Sequence, residues 1–381
     1  MTVGRVVIVG GGVVGTMHAV DACRRGWKVI HLESDAAPRG ASVRNFGLVW
    51  ISGRAGGPEL ALALRARELW AELAEVSPDI GFRALGSLTV ARHKLELDLM
   101  AEAAARPDAG DRDFELLEAD GVRKVNPALR GDLLGGLWCR HDAVVEPRSA
   151  LGSLRSAIEG DRYTWLPGRR AVDVLAAPAG STGGPVVVDH LGHRHEGSLA
   201  VLCIGDRLTG LGGRIGEALS TASLRRCRLQ MMQTAPVGEH VSTAVADADS
   251  MRYYPAFDLP GRAGLAAAGP EATEWAMQLL LVQRAGGGLT IGDTHVYEEP
   301  FDFAVEESVF DALRDRAEAI LGWPLPTIER RWSGTYSLVG DGRPCLREEL
   351  DAGIWVVTGT AGRGMTLAPA IAEQTWDEIG R

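Results

Sequence analysis

An α/β chain, α+β overall, is predicted by three observations. A strand breaks into a glycine turn near residue 10, further buried strands of the parallel type lie at 199–204 and 354–358, and strand signals dominate from 227 to 292. The first two describe a Rossmann-type parallel sheet, and the third an antiparallel sheet inserted between its segments. At the turn, Val6-Val7-Ile8-Val9 gives way to Gly10-x-Gly12-x-x-Gly15 and then to a helical pattern through Met17, Val20, Ala22 and Cys23. Four β-branched or apolar residues without alternation read as a strand buried on both faces. Glycines at this spacing let a pyrophosphate reach a helix N-terminus, where free N–H groups and the helix dipole favour an anion. A second strand, Val29-Ile30-His31-Leu32, ends in Glu33, a carboxylate placed to accept hydrogen bonds from a ribose. This is the pattern of a dinucleotide site.

Length and composition narrow the class. The 381 residues suffice for two domains, and 46% hydrophobic with 24% charged residues describes an ordinary globular chain. A net charge of −10 argues against non-specific nucleic-acid binding, so no nucleic-acid partner is expected. The five cysteines (23, 139, 203, 227, 345) form no CxxC pair, as suits reduced thiols in a cytoplasm. The first strand starts almost at Met1, leaving no room for a leader, and no apolar run reaches about 18 residues. A soluble, cytoplasmic protein without a membrane partner is expected.

Beyond Glu33, Gly40-Ala41-Ser42-Val43-Arg44-Asn45-Phe46-Gly47 reads as a loop turning N–H and hydroxyl groups to a phosphate or ring system, or as a surface loop with a helix cap. Gly56-Gly57-Pro58 opens an amphipathic helix over 59–76, with Leu62, Leu69, Trp70 and Leu73 on its apolar side. Strand 86–91, helix 94–105, a short helix 120–125 and strand 136–139 follow, then a helix from Glu146-Pro147-Arg148 through 158. Strands are predicted at 171–175, 186–188 and 199–204, with Gly/Pro/Ser/Thr-rich turns at 178–185. Strands at 228–234, 277–282 and 289–291 come next, the last two joined by Ala285-Gly286-Gly287-Gly288 as a hairpin. After a helix at 305–321, the chain returns through 328–336 and strand 354–358. A second glycine-rich turn, Gly359-x-x-Gly362-x-Gly364, opens the last helix. Its positive end suits the electron-rich side of a reduced flavin.

Together these segments resemble the D-amino-acid oxidase, glycine oxidase and sarcosine oxidase superfamily of FAD enzymes over nearly the whole chain. The resemblance implies a glutathione-reductase-like Rossmann FAD-binding domain (1–85, 146–215 and 328–381) with an inserted antiparallel-sheet substrate domain (86–145 and 216–327). It implies cofactor contacts at Gly10, Gly12, Val13, Val14, Gly15 and Glu33, at Ser42, Arg44 and Asn45, and at Val172 on the adenine-side strand. Further contacts fall at Gly205, Gly334, Gly362, Gly364, Met365 and Thr366. Segments 40–47, 225–232 and 292–295 look like a subfamily proposed to act in aminophosphonate breakdown. FAD is expected to be non-covalent: residues 333–338 contain no cysteine, Cys345 follows Pro344, and loop 42–47 has no histidine.

One departure bears on the substrate. Where glycine-oxidase-like enzymes carry a carboxylate-binding arginine, this chain has Tyr336, which offers one hydrogen bond and no charged fork. His295, Tyr336, Arg363 and Tyr254 are the residues expected to meet the substrate, with Tyr253 beside them as cover. Arg225, Arg226 and Arg228 could gather a phosphonate or lie on a solvated strand edge, Met231-Met232 could be core or pocket wall, and Trp332 packs near the flavin. The histidines of Asp189-His190-Leu191-Gly192-His193-Arg194-His195 lack metal-ligand spacing and read as an exposed hairpin turn, so no metal is expected. The resemblance implies hydride transfer from a small anionic amine, an aminophosphonate first, to flavin N5. The imine would hydrolyse to a carbonyl compound, and oxygen or another acceptor would take the electrons. Glycine or sarcosine as substrate, or a flavin-binding subunit without turnover of its own, are the alternatives.

Overall fold

Val6, Val7, Ile8 and Val9 favour extended backbone and leave no polar face to water. In the computed structural model, which describes residues 4–177, 183–267 and 269–380, they form β1 (Arg5–Val9), inside a six-stranded sheet. The sheet runs Leu346–Asp351, Ile354–Thr358, Leu199–Leu202, β1, β2 (Lys28–Leu32), Tyr163–Leu166. All neighbours are parallel except Leu346–Asp351, which returns antiparallel along Ile354–Thr358. Helix α1 (Val13–Arg24) and the C-terminal helix Gly364–Ile379 pack against one another, and the Trp376 indole N–H donates to the His18 carbonyl at 3.0 Å.

The strand signals from 227 to 292 resolve into an eight-stranded sheet. Its order is Ile328–Val339, Leu224–Pro236, Gly288–Gly292, Leu280–Gln283, Ala244–Ala246, Ser87–Ala91, Gly135–Cys139, Phe114–Glu118. Only the Ala244–Ala246 and Ser87–Ala91 pair is parallel. Helix Glu307–Leu321 buries Val309, Phe310, Leu313, Ala317 and Ile320 in the core that this sheet shares with Leu88, Leu281 and Ile291. Strand Ile328–Val339, which the sequence division placed with the nucleotide segments, is hydrogen-bonded along Leu224–Pro236 of this sheet. The strand expected at 277–282 begins later, at Leu280, because Gln278 is turned to other partners. The turn expected at 178–185 lies partly outside the described residues, at 178–182.

The hairpin between Val186–Asp189 and Arg194–Glu196 forms, but it is not merely an exposed turn. The Asp189 carboxylate is buried and accepts from the Leu191 and His193 N–H groups at 2.9 and 3.0 Å, His195 Nε2 at 3.1 Å and Arg169 at 3.2 Å. Its acidity rises against the cost of burial because these donors hold the ionised form. His193 and His195 answer to this one carboxylate, whereas His190 Nδ1 accepts from the Arg170 N–H. Among the described residues no group of three His, Cys, Asp or Glu side chains is placed to hold a metal ion.

Two other histidines are fully buried. His31 on β2 has Nε2 2.9 Å from the Gly10 carbonyl and Nδ1 3.0 Å from the Tyr163 hydroxyl, so Nε2 carries the proton. His18 on α1 lies 2.7 Å from the Val14 carbonyl. Burial lowers His18 to about 4 and His31 to about 3, from an ordinary value of 6.5. Both are therefore neutral in the fold and protonate on unfolding below 6.5, so stability is lost as pH falls from there. Each contributes roughly 1.4 kcal/mol per pH unit. The urea midpoint should accordingly fall between pH ~6.5 and ~4.5, and His31→Asn should flatten that fall by about one proton's worth.

Candidate active site

The turn after β1 is a packing device before it is a binding device. A Cβ on Gly15 would stand 1.9 Å from the Gly10 carbonyl oxygen, and one on Gly10, where φ is +105°, would stand 2.1 Å from the Cys203 carbonyl. Only glycines let α1 and the Leu199–Leu202 strand close on the end of β1. Helix α1 starts at Gly12 with no side-chain cap of its own and no acid in its first turn. Ser42 reaches in from the 40–47 loop, its Oγ accepting from the Val13 N–H at 2.9 Å. The loop thus caps a helix distant in the chain while its Ser42, Arg44 and Asn45 line the cavity described below. Glu33 is fixed at the end of β2, where Oε2 accepts from the Gly11 N–H at 2.8 Å and Oε1 from Ser34 and Asp35 at 2.8 and 2.9 Å.

From this turn a cavity of about 910 Å³ runs toward the eight-stranded sheet. Its first part is walled by Gly10, Gly12, Val13, Val14, Glu33, Ser42, Arg44, Asn45 and Gly205, and the start of the C-terminal helix adds Gly362, Gly364, Met365 and Thr366. Gly334 lines it as well. Two of the predicted cofactor residues do not: Gly15 acts beneath the surface, through packing, and Val172 lies behind Ala171, with its carbonyl accepting from Gly212 N–H at 2.8 Å. The C-terminal helix also begins without an acid or a side-chain cap. Two helix starts without an acid in the first turn, a fixed carboxylate and arginines 39, 44, 169, 170 and 207 make a site suited to a pyrophosphate dinucleotide. The residues present fit such a cofactor.

The far part of the cavity is walled by His295, Tyr336, Arg363, Tyr254, Tyr253, Asp293, Gln278, Arg54 and Glu59. The Tyr253 and Tyr336 hydroxyls are 3.1 Å apart, and the Tyr253 ring stacks on His295 at 4.0 Å between centroids. Burial drives the phenols of Tyr253, Tyr254 and Tyr336 above their ordinary range, so they stay protonated donors. Arg363 is committed to Glu59 at 3.1 Å. Arg54, 3% exposed, approaches the other Glu59 oxygen only to 3.7 Å and lies over the Tyr254 ring at 5.4 Å. Among the described residues its Nε meets no hydrogen-bond partner, and neither does Trp50 Nε1 or Gln278 Oε1.

Arg54, Glu59, Gln278 and Asp293 escaped the reading of the sequence. Arg54 follows the apolar stretch Leu48-Val49-Trp50-Ile51, and a charge attached to a buried run was the available signal. Buried anchors hold that stretch: Asp142 accepts from the Ile51 and Ser52 N–H groups and the Ser52 hydroxyl, while Arg112 donates to the Ile51 and Ser52 carbonyls.

Three further groups named from the sequence find their places here. Arg225, Arg226 and Arg228 do not line the cavity: Arg226 pairs with Glu299, Arg225 lies over Tyr297, and Arg228 is buried against the Ala304 carbonyl rather than on a solvated edge. Trp332 donates to the Arg44 carbonyl at 3.3 Å and also stays off the cavity wall. Met231 serves both as core and as wall, and Met232 is core alone.

Comparison with known proteins agrees with this geometry. The profile of the DAO family, described as FAD dependent oxidoreductase, matches residues 5–377. Glycine oxidase from Geobacillus kaustophilus superposes with a TM-score of 0.78 at 22% identity, covering 100% of this chain and 95% of that one. Iminodiacetate oxidase from Chelativorans sp. BNC1 gives 0.75 at 18% identity, covering 99% and 95%. A subunit of the opine oxidase of Rhizobium meliloti is 28% identical over 163 residues, 40% of this chain and 44% of that protein. The alignment therefore spans under half the length of that curated relative.

The tight glycine packing yields a test. Gly15→Ala should lower stability by about 1–3 kcal/mol through overpacking and leave the purified protein poor in yellow chromophore. Retention of full chromophore and melting temperature would remove the Gly10–Gly15 contact from the site.

Proposed function

This chain belongs to the DAO family of FAD-dependent oxidoreductases acting on amines or amino acids, and on that premise we propose that its substrate is a small anionic amine. Bound FAD supplies a two-electron acceptor for the hydride on the carbon that bears nitrogen. Gly10 to Val14, Glu33, Ser42 and the start of the C-terminal helix would hold it, without a covalent bond. The cavity cysteine, Cys203, is kept as a thiol by burial and is a poor candidate for attachment. In this division the parallel-sheet segments carry the cofactor and the eight-stranded sheet carries the substrate.

The observation that carries the proposal is Arg54. A guanidinium buried at the cavity wall with an unsatisfied Nε is costly unless an anion completes it. Burial lowers its pKa, with Tyr254 and Glu59 opposing, yet guanidinium retains its charge in proteins. Tyr336 and Tyr253, whose hydroxyls pair with one another, line the same cavity, so an anion there meets the Arg54 cation and a phenol hydroxyl, with Arg363 already on Glu59. An acid head with several oxygens in different directions suits that arrangement. An aminophosphonate such as 2-aminoethylphosphonate or its N-methyl form is therefore the first candidate. The imine product would be hydrolysed to a carbonyl compound, with oxygen or another acceptor reoxidising the cofactor.

Two relatives favour a second reading. One is named a glycine oxidase and the other a subunit of an opine oxidase, which points to an amino-acid type of substrate and to a chain that works as one part of a larger enzyme. Anaerobic bleaching of the flavin band separates these readings, using 2-aminoethylphosphonate, its N-methyl form, aminomethylphosphonate, glycine and sarcosine. Bleaching by a phosphonate alone is expected. Bleaching only by glycine or sarcosine would overturn the phosphonate assignment, and no bleaching by any of them would favour the multi-chain reading.

Arg54→Met should raise KM for the anionic amine roughly 100-fold, as expected for a lost charged contact of about 3 kcal/mol. Tyr336→Phe should raise KM or lower kcat, and unchanged kinetics would remove Tyr336 from the mechanism.

A further inference from the structure

Small aliphatic amines are cations at neutral pH, whereas hydride loss requires the free amine, so the bound ammonium has to give up one proton, to a group in the cavity or to solvent. We propose that Asp293 and His295 together accept the proton that the substrate ammonium releases on binding. This rests on the amine-oxidation reading above and assigns that site its proton acceptor.

Both residues line the cavity, at 5% and 6% exposure, two positions apart on one segment. The segment is pinned on both sides. Gln278 N–H donates to the Asp293 carbonyl and His295 N–H to the Trp275 carbonyl, each at 3.0 Å, while Gln230 N–H donates to Thr294 Oγ1 at 3.1 Å. His295 Nδ1 lies 2.9 Å from the Ala276 carbonyl, which can only accept, so Nδ1 bears the hydrogen and Nε2 keeps its lone pair. Nε2 stands 3.9 Å from Asp293 Oδ1. That separation is too long for a hydrogen bond and short enough for an imidazolium to be held by the carboxylate. The Tyr253 ring stacks on the imidazole at 4.0 Å between centroids. In the proposed step one N–H bond of the ammonium breaks and one forms at Nε2. The electron pair stays on the amine nitrogen, and nothing is oxidised or reduced.

The other groups facing the pair do not compete for the proton. Gln278 Nε2 donates to Asp293 Oδ1 at 3.1 Å. Tyr253, Tyr254 and Cys227 are held protonated by burial, and Arg54 beyond Tyr254 is a cation. Glu59 is held by Arg363 through Oε2 at 3.1 Å, with Arg54 3.7 Å from Oε1. Burial lifts the Asp293 carboxyl above its ordinary range while His295 and Gln278 draw it back, which suits a group that must hold a proton and return it.

The test compares the FAD-loaded wild type with Asp293→Asn and His295→Gln, following anaerobic flavin reduction by each amine of the panel from about pH 6 to about pH 10. Both variants should reduce roughly 10- to 100-fold more slowly near pH 7, and the deficit should close as pH approaches the amine's own pKa. Calorimetry in two buffers of different ionisation enthalpy, adding the same amine to dithionite-reduced protein, gives a readout independent of turnover. The variants should release about one more proton to buffer than the wild type. A deficit equal at every pH, or a wild-type profile in both variants, overturns the assignment. A wild type that no amine bleaches refutes the reading beneath it, whereas a bleached wild type with unaltered variants refutes this inference alone.

Discussion

The carbonyl of Gly10 is the point on which the cofactor half of the molecule closes. It accepts from His31 Nε2 at 2.9 Å, and the α-carbon of Gly15 packs on it so closely that one added methyl would sit 1.9 Å away. The Gly10 N–H is spent on the Leu32 carbonyl at 2.8 Å, and the Cys203 carbonyl covers the remaining face. One residue thus joins β1, β2, the Leu199–Leu202 strand and α1. The direction of α1, and with it the direction in which its free N–H groups point, follows from that junction.

The other half depends on buried charge. Asp108 binds Arg106 at 2.7 Å and Arg112 at 2.9 Å, and these arginines hold the Ala256, Ile51 and Ser52 carbonyls. The same small network therefore positions the loop that carries Arg54 and the segment that carries Tyr253 and Tyr254. Arg106 first, with Arg112, draws the Asp108 carboxyl down to about 2, so the brace stays ionised at any physiological pH. Asp142 completes it from the other side. None of these side chains lines the cavity apart from those they hold.

What could be read from the chain divides along the same line. The glycine turns, the unbroken apolar strands and Glu33 announce themselves because dinucleotide binding is done mostly by backbone, and backbone demands show as glycine spacing and β-branched runs. The far wall of the cavity is made of side chains from 54, 253, 278, 293 and 336, of which only Tyr336 lies in a strand, and the rest come from loops and a helix end beside the eight-stranded sheet. No local pattern records that meeting. His295 and Tyr336 could be singled out through family likeness, whereas Arg54 acquires meaning only from burial and a missing partner, and Asp293 from its burial at the cavity wall. Arg228 shows the reverse error, since a charge in a strand looked solvated until its carbonyl partner was seen.

The cavity wall is drawn from both extremes of the described chain, residues 9–14 on one side and 357–366 on the other. A cofactor seated there touches segments separated by some of the longest sequence distances in the fold. Because it binds the closed cavity and not the opened chain, it adds stability by mass action, growing with the logarithm of its free concentration. The lifetime of this protein against proteases is thereby tied to flavin supply, and a cell short of riboflavin would lose the polypeptide as well as its activity.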